Sequence, residues 1–432
     1  MENGIIEAAY PIDFRKKDAV ILGQLLKDRN SVVLIGMKRV GISNFLRFFL
    51  YHKDVVKNYI TDGNLHLFIK VDLNDLVERE VFPFWILTLK RISDAVGKSS
   101  LNKPIKKYIE TLFLDCIQSK DTFLTIESIR KSLSKIVEQN VMPTIFFIRF
   151  DRLKDIVTTD LFGNLQGLKD ATNNKLAYVF TSFRGLSYLA PSVFKKPSLS
   201  LFTKDLYIKP AEKTDANIIF KTYTDHYKLS ISSSLEGWLF AIVDGYVQYL
   251  QLALIFLHET KKVIQSKDEI FNLLSCDERI GLQSEELWES LGDFEKATLL
   301  KIIRKEPIGE KEKMKAKYLW DTGLINQEGK SFKLFSPLLD YFVRQKDISS
   351  QLSVADFTKK ENLLFNFLKE NLGQICEREK IIEAVWPEVE ELGVSDWAID
   401  RLVARVRSKL LLQKAGFEIQ TIKTRGYKLI TV

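Results

Sequence analysis

With 432 residues, 46% of them hydrophobic, the chain can bury the cores of roughly two to four domains. Three cysteines (Cys116, Cys276, Cys376) and four histidines (His52, His66, His226, His258) stand far apart and form no C-x-x-C or His-rich cluster. That argues against a disulfide scaffold or a clustered zinc site and suits a reducing, cytoplasmic location. The net charge of +8 is unevenly placed: residues 401–432 carry eight Lys or Arg against the single acid Glu418, an asymmetry that points to a polyanion partner at that end.

The chain shows no basic start followed by an apolar core, so no signal peptide is expected. Residues 10–30 open with Tyr10-Pro11-Ile12-Asp13-Phe14-Arg15-Lys16-Lys17-Asp18 and continue as an apolar-periodic helix ending near Asn30. Next, Ser31-Val32-Val33-Leu34-Ile35 is a run of buried-strand character. It leads into Gly36-Met37-Lys38-Arg39-Val40-Gly41-Ile42-Ser43 and an apolar helix. Strand, glycine-bracketed turn and helix come in the order of a phosphate-binding loop, G-x-x-x-x-G-K-[ST]. The lysine position is Ile42, while the hydroxyl survives as Ser43. A charge-assisted contact to phosphate contributes about 1.5–3 kcal/mol, so its loss weakens nucleotide binding about ten- to hundredfold. Gly36, Lys38, Arg39, Gly41, Ser43 and, further along, Asp151 are the candidate nucleotide-contacting residues. No catalytic residue, metal ligand set or cofactor is assigned beyond weak residual ATP or ADP binding.

Strands are expected at Leu65–Asp72, Thr144–Phe150 and Leu176–Ser182, with helices over 81–96 and 104–140 between them. Strands alternating with helices give a parallel sheet with helices on both faces. A short strand at Asp205–Ile208 precedes a helical region from Asp215 to about Lys267. Gly237–Leu257 has membrane-spanning length, but Asp244, Gly245, Gln248 and Gln251 interrupt it, so two buried helices and no membrane association are expected. Residues 285–348 combine helices with a hairpin around Asn326–Lys330, the plan of a winged helix. The stretch Gln345-Lys346-Asp347-Ile348-Ser349-Ser350-Gln351 is expected to be a polar joint.

The last 77 residues repeat that plan. One helix begins at Thr358 and a second spans Arg378 to Trp386. A third, from Asp396 to Leu411 with Ser395 as N-cap, places Ile399, Leu402, Val403, Val406 and Leu410 on one apolar stripe. Arg401, Arg405 and Ser408 lie opposite. A hairpin with Arg425-Gly426 at its turn ends the chain. A helix with one buried stripe and a basic face suits a major groove, and a hairpin bearing an arginine suits the adjacent minor groove. Trp397, Arg401, Arg405, Ser408 and Lys409 from the helix, with Thr424, Arg425 and Lys428 from the wing, are therefore the candidate contacts to double-stranded DNA.

Several stretches carry a resemblance: Phe357-Thr358-Lys359-Lys360-Glu361, Arg378–Trp386, Val394-Ser395-Asp396, Arg405–Leu410 and Thr424-Arg425-Gly426-Tyr427-Lys428-Leu429. Through them, residues 356–432 resemble the winged-helix effector domain of OmpR/PhoB-type response regulators. The resemblance implies a helix that reads the major groove, a minor-groove contact from Arg425, and a dimer on DNA. The first 350 or so residues, through Gly36–Ser43 and the lead-in Phe14–Asp18, resemble AAA+/STAND-type P-loop ATPases. The fold implied is an α/β P-loop NTPase core (1–204), a helical lid (205–280) and two winged-helix domains (281–348 and 356–432). Against that resemblance, the acidic pair of the second nucleotide motif falls on Ile148 and Arg149, and Thr181-Ser182-Phe183-Arg184 places the sensor arginine one residue off. The lid's Gly-x-Pro stands as Gly245-Tyr246-Val247. These departures imply a pseudo-ATPase. Three functions follow: a sequence-specific, double-stranded-DNA-binding transcriptional regulator with an inactive ATPase-like switch or scaffold; a weak NTP-driven switch using Lys38, Arg39 and Asp151; or an adaptor that docks a defence, transposition or replication-initiation complex on DNA, with a protein partner on the ATPase-like body.

Overall fold

The computed structural model describes residues 5–194, 202–260, 262–329, 331–351, 357–386, 396–413, 416–422 and 425–431. It divides into two compact units, Met1–Val343 and Arg344–Val432.

The first unit is built on five parallel strands, β1 (Val32–Ile35), β2 (Leu65–Asp72), β3 (Val141–Ile148), β4 (Ala177–Ser182) and β5 (Lys204–Tyr207), in the spatial order β2-β3-β4-β1-β5. All four residues of β1 are buried, as a central parallel strand covered on both faces requires. Its side chains alternate between two cores. Val32 and Leu34 join one with α1 (Lys16–Lys27) and α2 (Ile42–Tyr51), while Val33 and Ile35 join the other. That second core is closed by α3 (Val81–Lys98), α4 (Lys103–Ser119), α5 (Thr122–Glu138), α6 (Thr159–Ala171) and the short α7 (Leu186–Leu189). The parallel sheet with helices on both faces is thus the expected P-loop NTPase architecture.

Four helices follow β5: α8 (Lys213–Tyr227), α9 (Ser233–Val243), α10 (Val247–Thr260) and α11 (Lys267–Ser275). The membrane-length stretch is indeed two helices. Asp244 and Gly245 break it with φ of 45° and 73°. Among the described residues no helix is long and apolar enough to cross a membrane. Then come α12 (Glu278–Glu289), α13 (Asp293–Ile303), α14 (Glu310–Lys315), α15 (Tyr318–Asp321) and the antiparallel hairpin β6 (Ile325–Glu328) and β7 (Ser331–Leu334), a winged-helix arrangement. The core around α1 and α2 runs without interruption through Tyr246, Tyr249, Leu287, Leu299 and Phe335. The elements from α1 to the β6–β7 hairpin therefore pack as one body.

Three expectations are corrected. The helical stretch 104–140 is two helices, parted where Lys120 turns left-handed (φ 52°) and Asp121 caps α5 by accepting from Leu124 N–H at 2.6 Å. The strand expected over Thr144–Phe150 lies at Val141–Ile148, and it stops because Arg149 adopts φ 62° with its N–H donating to Thr181 Oγ1 at 2.8 Å. The polar joint at 345–351 belongs to α16 (Pro337–Gln351); it has neither Gly nor Pro inside it, so its polar composition does not stop a helix.

The second unit contains α17 (Lys359–Glu370), α18 (Arg378–Val385), α19 (Asp396–Gln413) and the hairpin β8 (Phe417–Ile422) with β9 (Gly426–Thr431). Thr358 and Glu361 form a reciprocal capping box at the start of α17, which satisfies two backbone donors at once. The apolar stripe of α19 lands as expected: Ile399, Leu402, Val403, Val406 and Leu410 are all at most 2% exposed. The expected N-cap Ser395 lies outside the described residues.

Candidate functional site

In the first unit the strand ends that follow β1 and β3 frame a cleft of about 730 Å³. It opens at the carboxyl ends of parallel strands, where ligands of open α/β sheets bind. The phosphate loop forms one wall: Gly36, Lys38, Arg39, Gly41 and Ser43 all line it, and Asp151 faces them from after β3. Ser43 is exposed, and Gly41 takes φ 108°. A Cβ at Gly41 would come within 2.9 Å of Val247 Cγ2, so only glycine suits both the backbone angle and the close approach of α10. The loop's overall course has survived the change at its lysine position.

What it carries has changed. Ile42 packs against the core that α1 and α2 share, leaving no ammonium there. Lys38 and Arg39 instead turn to one carboxylate, Glu286 on α12: Lys38 Nζ lies 3.5 Å from Oε1 and Arg39 Nε donates to Oε2 at 2.9 Å. The Glu286 side chain is only 11% exposed. Tyr246 donates its hydroxyl to the Lys38 carbonyl at 2.6 Å and accepts from Gln283 Nε2 at 3.0 Å. The lid and α12 thus hold the loop through its backbone and through both of its cations.

Across the cleft, Arg149 stands at the end of β3 and pairs with Asp72 at 2.5 Å, while Arg152 donates to Asn74 at 2.7 Å. Burial pushes the Asp151 carboxyl above its usual range, against the pull of Lys38, Arg152 and Arg149. In the cleft Asp151 is thus a carboxyl flanked by guanidinium groups, whose charge opposes a divalent ion beside it. Among the described residues no group of three or more His, Cys, Asp or Glu is placed to hold a metal ion. Arg184, the displaced sensor residue, is 3% exposed and donates to both Glu295 oxygens at 2.7 and 2.6 Å, and to the Ser290 carbonyl at 2.6 Å. Its guanidinium lies 3.7 Å from the Tyr318 ring centroid. It staples α13 to the sheet and is not among the residues lining the cleft.

In the second unit, the candidate DNA contacts fall into two groups. Ser408 and Arg425 are exposed, and Trp397, Arg401 and Lys428 are half-buried. Thr424 lies outside the described residues. Arg405 and Lys409 are tied inward: Lys409 Nζ donates to Glu361 Oε2 at 2.6 Å, and Arg405 Nε lies 3.7 Å from Glu361 Oε1. Glu361 is itself almost wholly buried. Burial raises its pKa, but the Lys409 and Thr358 hydrogen bonds and the Lys409 and Arg405 charges outweigh that and hold it below the ordinary range.

Residues that the sequence reading passed over set the helix against the wing. Arg378 Nη2 lies 2.6 Å from Asp400 Oδ1 and 3.2 Å from Tyr427 Oη, and the Tyr427 hydroxyl also donates to Asp400. Burial, then Asp400, pushes the Tyr427 phenol up to about 12. Arg407 donates to the Ile419 carbonyl and to Thr421 Oγ1, both at 2.7 Å. Gly426, at φ 138°, lets the wing pass so close to the preceding segment that a Cβ would sit 2.0 Å from the Cys376 carbonyl oxygen, while Cys376 and Tyr427 exchange backbone hydrogen bonds at 2.8 and 3.0 Å. No periodicity marks these contacts, since Tyr427 lies 49 residues from Arg378 and 27 from Asp400.

Residues 353–429 match the family described as "Transcriptional regulatory protein, C terminal". No curated protein matches the chain. Solved structures similar to it include a Walker-type ATPase of Pyrococcus abyssi, at 15% identity over 76% of this chain and 95% of that one, with a TM-score of 0.48. The ORC2 protein of Aeropyrum pernix in its ADPNP–ADP complexes is similar at 12% identity over 78% and 95%, with a TM-score of 0.45. The ORC1 protein of the same organism in complex with DNA is similar at 12% identity over 96% and 88%, with a TM-score of 0.37. Residues 353–429 thus resemble a transcription-regulatory C-terminal domain, and they follow a body built on a five-stranded parallel sheet.

Proposed function

We propose that the protein is a sequence-specific, double-stranded-DNA-binding regulator of transcription whose ATPase-like body is a non-hydrolysing switch or scaffold. The observation that carries this reading is the C-terminal unit: α19 buries one stripe completely and keeps Arg401 and Ser408 off it, beside a wing that exposes Arg425, in a domain that matches a transcription-regulatory family. Helix α19 enters the major groove, and Arg425 reaches the flanking minor groove. Arg378, Asp400, Tyr427 and Arg407 hold helix and wing at the spacing that lets both contacts form together.

The ATPase-like body supports the non-hydrolysing part through its substitutions. Transfer of a phosphoryl group depends on cations and a metal ion that stabilise charge on the transferring oxygens. Here Ile42 replaces one such cation, and Ile148 and Arg149 stand where the acidic pair would. Protein partners of the body, and a dimer on DNA, belong to the same proposal.

Selection of duplexes from a random pool by the full chain tests it. Enrichment of a defined motif, with affinity lost on Arg401→Ala and Arg425→Ala, is the expected outcome. Retention of all duplexes alike would refute sequence-specific reading.

A further inference from the structure

The cleft of the first unit keeps an unusual balance of charge. Five cationic side chains, Lys38, Arg39, Arg47, Arg149 and Arg152, line it against two carboxylates, Asp151 and Glu286. Its volume is about 730 Å³, and its wall extends past α2 to Tyr223, Gln248 and Gln251. Glu286 reaches the phosphate loop itself, bonding Arg39 at 2.9 Å and approaching Lys38 at 3.5 Å. It comes from α12, which also sends Gln283 to Tyr246 and Ser284 to Tyr249, at 3.0 and 2.6 Å. A carboxylate from outside the sheet domain thus sits against the loop's two cations, as a phosphate oxygen would.

We propose that Glu286 is an internal counter-anion of the phosphate loop, and that a metal-free phosphate chain displaces it and binds Lys38 and Arg39 in its place. The charges lining the cleft favour a metal-free chain over a magnesium-bound one. Arg149, paired with Asp72, and Arg152 bring guanidinium groups to the cleft beside Asp151, and Lys38 also acts on that carboxyl. These cations oppose a divalent ion and attract bare phosphate oxygens. The exchange needs no bond to break: one anion leaves two cations and another arrives. Because Glu286 belongs to α12, displacement releases the side-chain tie between that helix and the loop's cations, leaving the Gln283–Tyr246–Lys38 link and giving the body a ligand-dependent second state. The inference concerns the body alone and stands whether or not the C-terminal unit reads DNA.

The test is calorimetric titration of the full-length protein, without DNA, with ATP and with inorganic tripolyphosphate, each in EDTA and in excess Mg²⁺. Binding in EDTA that Mg²⁺ weakens or leaves unchanged is expected. ATP alone or tripolyphosphate alone as the ligand separates a nucleotide from a free polyphosphate. Glu286→Gln removes the competing charge and should tighten binding in EDTA by about tenfold, the effect of one charge-assisted contact. Arg39→Gln, at a side chain 45% exposed and so tolerant of change, should weaken it by about the same factor. Melting curves of the ligand-free variants confirm that they fold. No binding of either ligand to wild type and Glu286→Gln, binding that requires Mg²⁺, or a Glu286→Gln affinity within about threefold of wild type (under ~0.7 kcal/mol) would overturn the proposal.

Discussion

Glu361→Gln perturbs the residue on which two of the candidate DNA contacts converge. Glu361 is 1% exposed overall, accepts from Lys409 Nζ at 2.6 Å and from its own capping partner Thr358 N–H at 2.7 Å, and has Arg405 Nε within 3.7 Å. Removing one partner from a fully buried ion pair costs about 3–5 kcal/mol. Lys409 and Arg405 side chains are 24% and 28% exposed, so water recovers part of that, and the amide keeps the Thr358 bond. A loss of about 2 kcal/mol in the C-terminal unit results. Hydrogen exchange on the full-length protein reads it locally: amides of α17 and α19 that exchange through opening of that unit should speed up about thirtyfold, since about 1.4 kcal/mol is a factor of ten. The same carboxyl makes the unit acid-sensitive. Its pKa is lowered in the folded state, so its contribution is complete above the unfolded carboxylate value of about 4.3 and is lost as pH falls through the folded value. Glu361→Gln should flatten that acid limb. Exchange in α17 and α19 within about threefold of wild type, under ~0.7 kcal/mol, would refute the view that Glu361 anchors α19.

Other consequences are open to simpler measurements. Duplex affinity should fall with salt at a log–log slope of about −4 if four or five phosphates are neutralised; a flat response would remove the DNA reading. Arg401→Ala should lower affinity for the preferred sequence by about 1–3 kcal/mol if it reaches a base edge, while Arg405→Ala should also destabilise α19, because its side chain already leans on Glu361. No Mg²⁺-dependent ATP turnover is expected, and Asp151→Ala should change nothing; turnover lost in that variant would restore the NTP-driven switch. Gly245→Ala should prevent normal folding of the first unit or destabilise it by more than about 3 kcal/mol, since a Cβ there meets the Ala211 carbonyl oxygen at 2.0 Å on a left-handed backbone. A thermal melt unchanged by that substitution would contradict the packing at the start of the lid.

The order of elements was legible in the sequence because it rests on short-range patterns. Apolar runs rich in β-branched and aromatic residues mark β1, β3 and β4 as buried parallel strands. Period 3.6 marks the stripe of α19, and Asp244-Gly245 marks the break that turns a membrane-length stretch into α9 and α10. The lost lysine at Ile42 and the altered pair Ile148-Arg149 could also be found by position alone. Boundaries were less legible where a single backbone angle decides them, as at Arg149 and Lys120, or where polar residues continue a helix, as in α16.

Side-chain partners were not in the sequence at all. Glu286 lies 247 residues from Arg39, Glu295 lies 111 from Arg184 and Glu361 lies 48 from Lys409, distances over which no periodicity carries information. A charge seen in sequence has no assigned partner until folding brings one to it. The sequence alone therefore determined that a phosphate loop without its lysine precedes a basic winged helix. Only the tertiary structure decided that Glu286 meets the cations of that loop, and that Arg405 and Lys409 on the basic helix are turned toward a buried carboxylate while Ser408 and Arg425 stay exposed. The physical reason is that burial makes an unpaired charge costly, so long-range packing decides where each charge is neutralised.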